Sequence, residues 1–141
     1  MRNRIIVVSA IGLLARMFLV AQQPTGPDPL METLFPPELV MAHQKAIGLD
    51  DVQKNDIRGE LLKAQTRFTD LQWQLQDAME SLTALLKKTP ADESQVLAQL
   101  DKVLATEREL KRTQIGLLVR IRNRLTPDQQ ARLQKLRSES K

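Results

Sequence analysis

Three sets of side chains in this chain have the types and spacing to do chemistry. The first is sparse. His43 is the one histidine and there is no cysteine, so a metal site would be built from His43 with Glu38 and Met41 on the same short stretch. Zinc and similar ions ordinarily take three or four protein ligands. One imidazole with a carboxylate and a thioether is a poor set unless a dimer brings two copies of His43 together. The ordinary alternative is a packed or solvated imidazole, so no metal is expected. The lack of cysteine also removes disulfides, iron–sulfur clusters and thiolate zinc sites. There is no Gly-rich phosphate loop, and no Ser has a His nearby. Asp77 and Glu80 sit at helical spacing among polar neighbours, as on a solvated face. No enzyme and no cofactor are expected.

The second set is cationic: Arg108, Lys111, Arg112, Arg120, Arg122 and Arg124. The net charge of +4 includes Arg2, Arg4 and Arg16 near the start, so net charge gives no reason to expect nucleic-acid binding. Its distribution says more. Residues 22–106 hold 8 Lys/Arg and 13 Asp/Glu, whereas residues 107–141 hold 10 and 4. Such asymmetry favours contact between opposite ends, within one chain or between two. The plainer alternative is two solvated faces of opposite bias.

The third set is a pattern that occurs twice. Leu49-Asp50-Asp51-Val52-Gln53 and Leu125-Thr126-Pro127-Asp128-Gln129 share a Leu, a capping residue and a Gln three residues after the cap. Asp50 or Thr126 accepts from the backbone of the first turn, and Gln53 or Gln129 reaches back to the cap, which makes a capping box. These residues are read as structural caps.

The elements that must position these groups are helices. Aromatic content is 3%, so the core must come from Leu, Ile, Val and Ala. Arg2 and Arg4 precede an uncharged apolar run, Ile5 to Ala15, and Leu19-Val20-Ala21 offers a small-residue cleavage point. Residues 1–21 therefore read as a secretory signal. Arg16 argues against a stable anchor and leaves an uncleaved tether as the alternative. Gln22 to Pro37 is rich in proline and reads as an extended flexible segment. A short helix is expected over Glu38–Ile47, ended by Gly48.

From Ile57 to Leu85 a heptad seam runs through Leu61, Ala64, Phe68, Leu71, Leu75, Ala78 and Leu82. Thr89 is expected to cap a returning helix with Pro90 in its first turn. That helix carries Val96, Leu100, Val103, Glu107, Leu110, Gln114, Leu117 and Ile121 as its seam. Glu107 and Gln114 either fix register or form a ligand or partner site. A last short helix passes through Ala131, Leu133 and Leu136, and the tail Arg137 to Lys141 is expected to fray. The fold class is all-α: a long antiparallel helical hairpin with short helices at each end, occupying residues 38–138, with 139–141 as a frayed tail. Leu62, Met79, Leu86, Leu97, Leu104, Ile115 and Leu118 lie off the main seams. Uncovered apolar area on that scale marks a partner surface, and a symmetric homodimer is the simplest cover.

The second pattern matches LTxxQ at every specified position, and the first matches with Asp for Thr. With the leader and the hairpin, they make residues 35–138 resemble the Spy/CpxP family, whose wider group includes ZraP-like and CnrX-like periplasmic metal proteins. The resemblance implies a cradle-like antiparallel homodimer in the periplasm. It also implies ATP-independent, chaperone-like holding of unfolded or misfolded envelope proteins by mixed charged and apolar contacts, with the cationic set as client surface. The family's other branches imply heavy-metal sensing or resistance, or modulation of an envelope sensor kinase. Membrane contact is expected only through an uncleaved leader.

Overall fold

A computed structural model describes residues 29–140. Among them are five helices and no strand: α1 Pro29–Thr33, α2 Pro37–Ala42, α3 Asp51–Leu86, α4 Glu93–Asn123 and α5 Pro127–Glu139. The signal-like stretch 1–21 and residues 22–28 lie outside the described residues. α1 belongs to a separate unit from the one that begins at Leu34. It places helix inside the stretch that the prolines suggested would be extended; Pro29 is its first residue, where a missing N–H is harmless. Within the main unit Leu34 and Phe35 are also buried rather than loose.

α3 and α4 form the expected hairpin, of 36 and 31 residues. All nine seam positions of α3 from Ile57 to Leu85 are buried or half-buried. On α4 the seam holds at Val96, Leu100, Val103, Leu110, Gln114, Leu117 and Ile121. Glu107 departs from it: its side chain is exposed and Thr106 takes the half-buried place in that turn. Leu118 is buried and so leaves the partly exposed apolar set, whereas Ile115 remains half-buried.

The hairpin is not uniformly covered. Among the described residues a third layer exists only at the end where α3 begins and α4 stops. There Phe35, Val40, Ile47, Leu49, Leu125 and Leu133 close over Ile57, Ala64, Leu117 and Ile121. Arg137 fastens this layer. Its guanidinium donates to the Leu34 carbonyl at 2.5 Å and lies 5.2 Å from the centre of the Phe35 ring. α5 therefore stays helical through Glu139, and the fraying expected from Arg137 onward does not occur at Arg137.

Two helix boundaries differ from expectation. α2 stops at Ala42, and residues 43–48 descend through turns to Gly48, whose φ of +68° is the left-handed conformation that glycine accepts without strain. α4 begins after Asp92, not at Thr89. The Asp92 carboxylate accepts from the Gln95 amide at 3.0 Å, and an ionised acceptor caps an amide more strongly than a hydroxyl does.

Candidate functional site

The two capping patterns meet. Asp50 accepts from the Gln53 amide at 2.7 Å while Gln53 Oε1 accepts from the Asp50 amide at 3.2 Å. Thr126 and Gln129 do the same at 3.2 and 2.9 Å. The two side-chain amides then bond each other: Gln53 Nε2 to Gln129 Oε1 at 2.8 Å, and Gln129 Nε2 to Gln53 Oε1 at 3.0 Å. Each Nε2 makes one more bond, to the carbonyl that precedes the other pattern, Arg124 O at 2.7 Å and Gly48 O at 3.2 Å. Both amides thus use two acceptor and two donor positions, which is all they have. Leu49 and Leu125 are buried beneath them. The patterns are caps, as the sequence implies, and they are also one clasp joining the starts of α3 and α5.

The cationic set divides. Arg120 Nε donates to Glu60 at 2.6 Å, and Arg124 Nη1 to Asp56 at 2.7 Å. These two ties fix the hairpin register beside the clasp. Arg120 also holds the Glu60 carboxyl below its ordinary range, with burial opposing the shift and Lys63 assisting it. Arg112 lies 3.5 Å from Glu109 on its own helix. Arg108, Lys111 and Arg122 are exposed. Lys63 and Arg67 on α3, which composition alone does not single out, stand with Arg112 and Arg120 around one cleft.

Toward the turn no third layer among the described residues covers the hairpin. Trp73, Met79, Leu86, Leu97 and Leu104 are each between 44% and 62% exposed, and Leu62, nearer the covered end, is also exposed. Trp73 and Leu62 are eleven residues apart, close to three turns, and so share one side of α3. Val52 and Val119 are exposed at the clasp end.

The metal-ligand candidates do not assemble. Met41 packs against the core, Glu38 is exposed, and His43 is half-buried at the end of α2. Among the described residues no three His, Cys, Asp or Glu side chains gather where they could hold an ion. No helix among them is long and apolar enough to cross a membrane.

A clasped all-α hairpin with paired capping boxes and an open apolar end defines the class. A family described as heavy-metal resistance (Metal_resist) matches residues 5–132, and the chain belongs to it. That family is related to the Spy/CpxP/ZraP-like periplasmic proteins. No curated protein and no solved structure matches the chain. The donor set of the described residues does not fit a resident divalent metal in one chain: it offers one imidazole, no thiolate and no carboxylate cluster.

Proposed function

We propose that the protein is an exported envelope-stress member of the heavy-metal resistance family that holds non-native polypeptides without nucleotide and without catalysing a reaction. One observation carries this reading: the open half of the hairpin exposes a run of large apolar side chains, Trp73, Met79, Leu86, Leu97 and Leu104. A two-helix layer cannot bury both sides of itself, and such surface ordinarily meets a partner. Arg108, Lys111 and Arg122 add cations not engaged by α3, so a client can be drawn by charge and retained by apolar contact. The protein acts in the periplasm as a homodimer in this reading, with unfolded or misfolded envelope proteins as clients.

The family's description favours a second reading, heavy-metal sensing or resistance, either directly or through a sensor kinase. Its support within the chain is His43, which is half-buried and needs ligands from a second copy.

The test is light scattering from an aggregating client with the purified protein added, in chelator and again with zinc or nickel. Suppression in chelator supports client holding. Suppression only with metal, lost in His43→Ala, supports the metal-linked reading. No suppression in either condition overturns the client-holding proposal.

A further inference from the structure

Lys63 and Arg67 from α3 and Arg112 and Arg120 from α4 surround a cleft of about 540 Å³, floored by Ala64, Thr113 and Gly116. The one carboxylate in it, Glu60, is already occupied. Its Oε2 takes Arg120 Nε at 2.6 Å, and its Oε1 lies 3.7 Å from Lys63 Nζ. This contact turns the Arg120 fork along the floor. A Cβ on Gly116 would sit 3.1 Å from Arg120 Nη1, so the missing side chain is what gives the guanidinium its place. Among the described residues Arg67 has no ion-pair or hydrogen-bonded side-chain partner, and Arg112 has the long contact to Glu109. Four cations against one engaged carboxylate leave the cleft strongly positive. Guanidinium forks held in place by a neighbour favour planar, two-point recognition of oxyanions.

We propose that this cleft is a binding site for a tetrahedral oxyanion of the phosphate class, free in solution or carried as a phospholipid headgroup. The Arg120 Nη groups and Arg67 supply the forks from the two helices, Arg112 and Lys63 close the rim, and the Thr113 hydroxyl adds a neutral donor. The site uses none of the exposed apolar side chains nearer the turn, Trp73, Met79, Leu86, Leu97 and Leu104.

The experiment titrates the full chain with inorganic phosphate by calorimetry, chloride keeping ionic strength constant. In parallel it measures binding to phosphatidylcholine vesicles with and without phosphatidylglycerol. Each is repeated with Gly116→Leu, which fills the floor and keeps every charge, and with Arg67→Gln/Arg112→Gln. Arg108→Gln/Lys111→Gln removes the same charge outside the cleft. Saturable binding that falls about tenfold or more in the first two variants and not in the third is the expected result. Loss confined to free phosphate identifies the soluble anion, and loss confined to the anionic vesicles identifies the headgroup. Circular dichroism checks that helicity is kept. If Gly116→Leu unfolds, the two charge-removal variants make the same distinction. If neither probe separates the cleft variants from Arg108→Gln/Lys111→Gln, the attraction is diffuse and the proposal is overturned.

Discussion

At the scale of single residues the most consequential feature is the Gln53–Gln129 pair. Truncating either leaves its partner's amide, a cap amide and a carbonyl unsatisfied, and Gln129 is only 8% exposed. Gln53→Ala and Gln129→Ala should each lower stability by roughly 1–3 kcal/mol. The double variant should lose less than the sum, because the second truncation removes groups the first has orphaned. Urea denaturation of the four proteins checks this, and strict additivity would mean the amides act only as separate caps. Glu60 gives a pH signature. Its folded-state carboxyl is held low by Arg120, so the stability it contributes is present at neutral pH and lost as pH falls through the folded value. Wild type should exceed Glu60→Gln in urea midpoint at pH 7, and the gap should close in acid. A gap independent of pH would contradict the assignment. The caps were legible from residue order alone because a capping box is local. The amide pair was not, since it joins residues 76 apart in sequence. The two patterns do share one spacing, and that similarity was the available signal.

At the scale of elements, two glycines separate backbone conformation from packing. Neither Gly48 nor Gly59 has an atom within 4 Å of an added Cβ. Gly48 sits at positive φ and Gly59 within α3. Gly48→Ala should therefore destabilise by roughly 1–2 kcal/mol through left-handed strain, while Gly59→Ala should stabilise by about 1 kcal/mol through helix propensity. Thermal melts of the two proteins give opposite signs if this is right. The long helices were readable because their apolar period is sustained, and every α3 seam position faces inward as its spacing requires. Boundaries were less readable. Two acceptors, Thr89 and Asp92, compete to start α4, and nothing in their order shows that the connection extends to Asp92. The layer over the clasp end was also hidden, because Arg137, Leu34 and Phe35 meet only through tertiary packing.

At the scale of the whole molecule, the described residues give one hairpin a covered end and an open end. The clasp end is stapled by the amide pair, two cross-helix ion pairs and a third layer, so it is the stable platform. The other end keeps its seam buried or half-buried and exposes apolar flanks. The excess of apolar residues was visible in the sequence, but part of it was misplaced, since Leu118 is taken up by packing while Trp73 is left out. The charge asymmetry was legible, yet its main product inside the chain is the pairing of Arg120 and Arg124 with α3. Trp73 is the one tryptophan and is 62% exposed, so it reports directly on whether the open end is covered. The decisive measurement is its fluorescence as a tryptophan-free unfolded client is titrated into the protein in chelator. Client holding predicts a saturable blue shift that parallels suppression of aggregation. Emission that stays that of a water-exposed indole while the client aggregates would contradict it.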